Sequence, residues 1–237
     1  YEEGRYRYHH LFHEYLKNQC QKKFNHKNLH KKTAEICLEL GKRGFAIYHS
    51  LRAEDYDKAA RLILSSAEKL LELGRIETLQ DGLNYLPDEL FSRYPSLYLY
   101  QGDICRLRSH FNQALEVYKK AEKHFKKTND KLKLSQVLQK IAMIYLDTVQ
   151  PVQADQYLKK ALKIRDEENL WEEATLLKML AENKANEGDL KEAEKLQNQA
   201  EDITDDDVTH NNFSARVKLR TGRLDKGQQI LEEKLDK

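Results

Sequence analysis

The residues most able to do chemistry are a cluster of histidines near the start of the chain. His9 and His13 stand four positions apart, one helical turn, with His10 between them, and two imidazoles at that spacing can share a metal ion. No Cys or carboxylate stands where it would complete the set as zinc requires, so a packed or solvated role is favoured for all three. His26 and His30 repeat the spacing with Cys20 upstream, but residues 21–32 form a basic helical stretch that reads as a solvated face. No metal site is expected. Cys20, Cys37 and Cys105 are odd in number and lack C-x-x-C spacing, which argues against a disulfide framework and a zinc knuckle and fits a reducing, cytoplasmic setting. Nucleophilic catalysis finds no support either. The strained G-x-S-x-G turn and the G-x-x-x-x-G-K-[ST] phosphate loop are both missing, and the carboxylates are spread along helix faces opposite lysines. The expectation is a binding protein, not an enzyme, with no cofactor in this chain.

The elements that would position such residues are helices. The 237 residues hold 3 Pro and 9 Gly against 34% charged side chains, too little punctuation for sheets and a good supply for long helices. The 41 basic and 39 acidic residues leave a formal charge of +2, so no global field draws nucleic acid or an anionic membrane. No apolar run reaches the roughly 18 to 20 residues needed to cross a bilayer. The first residues are not a signal peptide, and without an initiator Met the chain reads as a piece of a longer protein.

Small residues recur in register along the chain. Gly102, Phe111, Ala114, Tyr118 and Ala121 align with Ala142, Tyr145, Ala154 and Ala161, and again with Ala181, Gly188, Ala193 and Ala200. Ala114 to Ala154 is 40 residues, Ala154 to Ala193 is 39 and Ala193 to Gly227 is 34. Two helices that cross closely need Gly or Ala at the crossing and large residues beside it. The pattern is that of tetratricopeptide repeats, whose standard length is 34 residues, with somewhat longer helices. It predicts an all-α fold in which helix-turn-helix repeats stack as a right-handed superhelix. Leu132, Val137, Leu138, Ile141, Ile144 and Tyr145 mark one apolar stripe. Turns are expected at Asn129-Asp130, Pro151, Gly188-Asp189 and Gly222-Arg223, with a helix restarting at Pro87 and another near Asp205-Asp206-Asp207. An upstream copy is readable around Ala59, and the 55 residues from there to Ala114 leave room for an inserted helix at residues 76–86.

The register also projects the outward positions on the first helix of each pair, which lines the concave face of such an array. They are Leu99, Asp103 and Arg106, then Gln136, Gln139 and Met143, then Lys178 and Glu182. Polar side chains of this kind suit a sugar, a peptide or a protein partner. Among the tyrosines nearby, Tyr98 falls at a packing position, whereas Tyr94 and Tyr100 are placed to line a groove.

The first third of the chain carries a second signal. Residues 5–16, Arg-Tyr-Arg-Tyr-His-His-Leu-Phe-His-Glu-Tyr-Leu, resemble the segment that closes the winged-helix region of large bacterial ATP-dependent activators of the maltose-activator type. These are signal-transduction ATPases ending in a LuxR-type helix-turn-helix. The likeness continues through Leu29-His30-Lys31-Lys32-Thr33-Ala34, Gly41, Asp55, residues 59–63, Leu70-Leu71, Gly74, Glu77-Thr78-Leu79, Leu86-Pro87, Pro95 and Leu97, and so covers about residues 5 to 125. It departs at Gly82, where relatives often carry Trp. With the repeat register, the resemblance divides the chain into three segments: residues 1–25 as the end of a winged-helix region or a connecting helix, 26–94 as irregular helical repeats, and 95–237 as tetratricopeptide-like repeats. It further implies a sensor and oligomerisation module that meets a small-molecule inducer or regulatory protein or peptide, contacts the ATPase module of its own full-length chain and self-associates. Neither nucleic acid nor membrane would bind to this part. Two other readings stay open, a stand-alone tetratricopeptide scaffold and a helical-repeat peptide receptor.

Overall fold

The computed structural model describes residues 9–23, 25–203 and 212–235, and every regular element among them is an α-helix. The helices divide into two compact units, Tyr1–Leu97 and Tyr98–Lys237.

The N-terminal unit is built from short helices: α1 (His10–Lys23), α2 (His26–Glu39), α3 (Arg43–Arg52), α4 (Tyr56–Leu64), α5 (Ala67–Glu72), α6 (Ile76–Asn84) and α7 (Asp88–Arg93). Its core is small and centred on Ala46, Ile47, Ala59, Ala60, Ile63, Leu79 and Leu83, all buried. Gly82 belongs to it. A Cβ there would lie 3.1 Å from Ile63 Cδ1, so the residue that departs from the family pattern lets α6 approach α4 closely. The inserted helix is α6, and Pro87 caps α7 from outside in extended geometry (φ −60°, ψ 146°) instead of occupying its first turn. On α1 Leu11, Phe12, Tyr15 and Leu16, which recur at helical spacing, are exposed, with the Phe12 and Tyr15 rings stacked at 6.4 Å. Tyr8 lies outside the described residues, as do the side chains of His13 and Cys20.

In the C-terminal unit, long helices alternate in pairs: α8 (Ser96–Leu107) with α9 (Phe111–Thr128), α10 (Lys131–Asp147) with α11 (Pro151–Ile164), α12 (Leu170–Glu187) with α13 (Leu190–Ile203), and α14 (Asn212–Arg220) with α15 (Leu224–Leu235). Ala114, Ala121, Ala154, Ala161, Ala193 and Ala200 are wholly buried, as the crossing register requires. The tightest approach is at Gly102, where an added Cβ would fall 2.2 Å from Cε1 of the buried Tyr118 ring. Gly227 plays the same part against Leu219, at 2.8 Å. Leu132, assigned from the sequence to the apolar stripe of α10, is exposed at its first turn.

The two helices of each pair are joined by one device. Ser109, Val149, Gly188 and Gly222 all adopt positive φ, 60°, 52°, 86° and 80°. The next residue's amide reaches back to close the helix: His110 to Cys105 O, Gln150 to Tyr145 O, Asp189 to Lys184 O and Arg223 to Lys218 O, at 2.7 to 3.0 Å. This left-handed cap satisfies carbonyls that the helix end leaves orphaned. Glycine fills it without strain at two of the four sites, while the β-branched Val149 is the least suited residue of the four. The turn expected at Pro151 therefore lies at residues 148–150, and Pro151 opens α11, where its missing N–H costs nothing. The Asp205-Asp206-Asp207 run lies outside the described residues.

Candidate functional site

The first helices of the C-terminal pairs are α8, α10, α12 and α14, and the first three carry all the residues projected onto a binding face. Leu99 is not among the outward groups. It is 4% exposed and packs with Ala114, Tyr118 and Ile141, because one turn before Gly102 the helix faces α9. Met143 is half-buried against the core formed by α10 to α12, and Gln136 accepts a hydrogen bond from Lys133 Nζ at 3.1 Å.

The remaining five are buried or tied to a neighbouring helix. Asp103 is buried and accepts from the Tyr118 hydroxyl at 2.6 Å and from Lys140 Nζ at 2.7 and 2.8 Å on its two oxygens. Arg106 donates to Asp147 Oδ2 at 2.7 Å. Gln139 donates to Glu172 Oε1 at 2.8 Å, and the Ser135 hydroxyl donates to the same oxygen. Glu182, 1% exposed, accepts from Arg216 at 2.8 Å. Lys178 is buried, in the field of Glu201 and Lys218. The result is a polar ladder whose rungs run α8–α10, α10–α12 and α12–α14.

Its electrostatics follow from burial. Tyr118 is held far above the ordinary phenol range, first by burial and then by the Asp103 carboxylate. Burial raises Glu182 above the usual carboxylate range despite Arg216, which is 42% exposed in its side chain and too well solvated to offset it. Burial lowers Lys178. Burial alone would raise Glu201, yet hydrogen bonds from Gln197 and Lys218 bring it below its ordinary value.

The rungs join residues 34, 37, 41 and 33 apart: Glu182–Arg216, Asp103–Lys140, Arg106–Asp147 and Gln139–Glu172. That separation is one repeat, give or take a turn. Lys140, Asp147, Glu172 and Arg216 were not singled out from the sequence, although opposite charges spaced by the repeat length were there to be read. Among the described residues of the N-terminal unit a link of this span is made by Asp57, which accepts from Arg93 and from the Tyr94 hydroxyl, 36 and 37 residues on. Tyr94 is thereby a strut and not a free groove residue.

Among the described residues, which leave out the side chain of His13, no group of three or more His, Cys, Asp or Glu could hold a metal ion. His30 and His49 instead meet across α2 and α3, Nδ1 to Nδ1 at 2.8 Å. No helix among the described residues is long and apolar enough to cross a membrane.

Paired helices crossing at small residues and capped alike make this a tetratricopeptide-like helical-repeat protein. No family model matches the chain. Among curated proteins it is similar to the HTH-type transcriptional regulator MalT of Vibrio parahaemolyticus, 26% identical over 166 residues, which is 68% of this chain and 18% of that protein. The MalT of Vibrio campbellii is 25% identical over 170 residues (70% and 19%), and that of Serratia proteamaculans 26% over 163 (66% and 18%). The resemblance to a maltose-activator-type regulator thus covers about two thirds of the chain, which spans about a fifth of the length of these relatives. Solved structures similar to it include BtubC (BKLC) from P. vanneervenii, with TM-score 0.43 and 18% identity over 78% of this chain and 76% of that one. A Podosopora anserina putative kinesin light chain with nearly identical TPR-like repeats gives TM-score 0.44 and 15% identity over 84% and 93%.

Proposed function

We propose that this chain is the sensor and interaction region of a bacterial ATP-dependent transcription activator. The observation that carries the reading is the similarity to MalT over two thirds of the chain, joined to a helical-repeat architecture. The region is non-catalytic and works in the cytoplasm, coupling an inducer, regulatory peptide or protein partner to an ATPase module of the full-length chain and to self-association. Docking uses the stripe of first helices in the C-terminal unit, where Gln136, Gln139 and Met143 are half-buried. Asp103, Arg106, Lys178 and Glu182 act there through the ladder, by fixing the spacing of the helices that a ligand bridges.

Calorimetry of the purified chain against sugars, peptides and the intact ATPase module tests this. Saturable binding that weakens in Gln136→Ala while the melting temperature holds is the expected result. A ligand that maps to the second helices, α9, α11 and α13, or ATP hydrolysis by the chain itself, overturns it. A complete reading frame with neither a phosphate loop upstream nor a helix-turn-helix downstream would leave the stand-alone scaffold instead.

A further inference from the structure

The N-terminal unit contains an open groove of about 750 Å³, formed by the turn into α3, the exposed side of α3, helix α5 and the start of α6. That volume lies within the range of sites for small organic ligands. Its walls are of two kinds. One side is apolar and ring-bearing: Phe45, Tyr48 and Leu73 are 61%, 49% and 56% exposed over a floor closed by the buried Leu70.

The other side is cationic. Lys42, Arg43, Lys69 and Arg75 all line the groove, and no carboxylate does. Arg43 is braced by a hydrogen bond to Ser65 O at 3.2 Å, and Lys69 lies 3.6 Å from Glu72. Lys42 and Arg75 make no ion pair with any described residue.

Two further features converge on the cations. Helix α3 begins at the groove with no side-chain cap and no acid in its first turn. The amides of Gly44 and Phe45 have no acceptor among the described residues, so the positive end of the helix is left for an anion. Independently, Ser66, 3% exposed, lines the same groove, and its buried hydroxyl has no hydrogen-bond partner. A buried hydroxyl without a partner is costly, and Ser66 lines the same groove as the free amides and unpaired cations, so an acceptor held there would meet an unsatisfied donor.

We propose that this groove binds a small phosphate monoester whose body carries a ring or other apolar group. The phosphate would sit at the start of α3, within reach of the Gly44 and Phe45 amides, the Ser66 hydroxyl and the guanidinium and ammonium groups of Arg43, Lys42 and Arg75. The body would lie against Phe45, Tyr48 and Leu73. A phosphate dianion suits several donors converging from two sides better than a single carboxylate charge does. The site is separate from the stripe of first helices in the C-terminal unit and does not depend on it.

The probe is phenyl phosphate, titrated into the whole chain by calorimetry and by two-dimensional amide NMR, with inorganic phosphate, benzoate and phenol as its separated parts. Phenyl phosphate is expected to bind at least tenfold more tightly than any of the three, and to weaken as salt rises. Its shifts should concentrate at residues 41–49 and 66–78. Lys42→Ala with Arg75→Ala should cut affinity at least tenfold. Ser66→Ala should cut it severalfold, and Leu73→Asp should abolish the advantage over inorganic phosphate. The first two substitutions are exposed, and an unchanged amide spectrum outside the groove verifies that the variant is folded. Equal affinity for phenol shows an apolar site only, a preference for benzoate shows a carboxylate site, and shifts outside the groove show another site. Each of these overturns the proposal while leaving the sensor reading, tested on the C-terminal stripe, untouched.

Discussion

The two units dispose of charge in opposite ways. In the C-terminal unit, first helices stand side by side, so a residue on one faces its counterpart about a repeat later, and Asp103, Arg106, Gln139 and Glu182 are consumed by partners on the next helix. In the N-terminal unit α5 has only six residues and α6 is an insertion, so the register is lost and Lys42 and Arg75 face a groove. Regular repetition turns polar side chains into internal glue, and irregularity leaves them available. A charged residue projected onto the face of a repeat array is therefore as good a candidate for a strut as for a ligand contact.

The comparison breaks most sharply at Gly102. Gly102→Val places a branched side chain where even a Cβ meets the Tyr118 ring at 2.2 Å, and that ring is buried with its hydroxyl held by Asp103. Overpacking of this kind should cost about 3 kcal/mol or more in urea denaturation, and near-native stability would mean that α8 and α9 do not cross so closely. Ala154→Leu, at a crossing less tight, should cost about 1 to 3 kcal/mol.

Next in size is the ladder itself. Asp103→Ala strands the Tyr118 hydroxyl and the Lys140 ammonium and should cost about 2 to 3 kcal/mol, whereas Lys42→Ala or Arg75→Ala in the N-terminal groove should stay within about 0.5 kcal/mol. Equal costs for the two sets would erase the distinction between the units.

Val149→Gly should work in the other direction. Its φ of 52° is unfavourable for a β-branched residue, and glycine should stabilise the C-terminal unit by about 1 kcal/mol, whereas Gly188→Val at the equivalent cap should destabilise it. A loss of stability on Val149→Gly would show that packing of the valine outweighs its backbone.

The smallest effect is one of pH, and it belongs to the N-terminal unit. His30 is lowered from 6.5 by burial and by the charges of His49, His26 and Arg52, and His49 is lowered by burial. A histidine whose folded pKa is depressed binds protons more readily when unfolded. Its contribution is present above 6.5 and is lost as pH falls below that value toward the folded pKa. The N-terminal unit should therefore lose denaturant resistance between pH 7 and 5, and His30→Gln should flatten the profile. A profile unchanged by the substitution would place the titration elsewhere.

Much of the fold was legible in the chain because it rests on local, periodic rules. Small residues at 40, 39 and 34 residue intervals located the helix crossings, and the six alanines so identified are wholly buried. Glycine disclosed the caps at Gly188 and Gly222, whereas Ser109 and Val149 take the same left-handed geometry with residue types that do not advertise it, which is why the turn before Pro151 was misplaced. The candidate face was legible only as a set of positions. Leu99 turned inward because Gly102 draws α8 onto Tyr118, a contact with a different helix.

What the sequence determined by itself is the class of element, the pairing of helices and the likeness to an activator's repeat region, since each depends on residue type and spacing along one chain. What only the tertiary structure decided is the fate of the charges. Whether Arg106 meets a ligand or Asp147, and whether Lys42 meets an acid or an open groove, depends on which helices lie side by side, and that is fixed by packing between residues far apart in the chain.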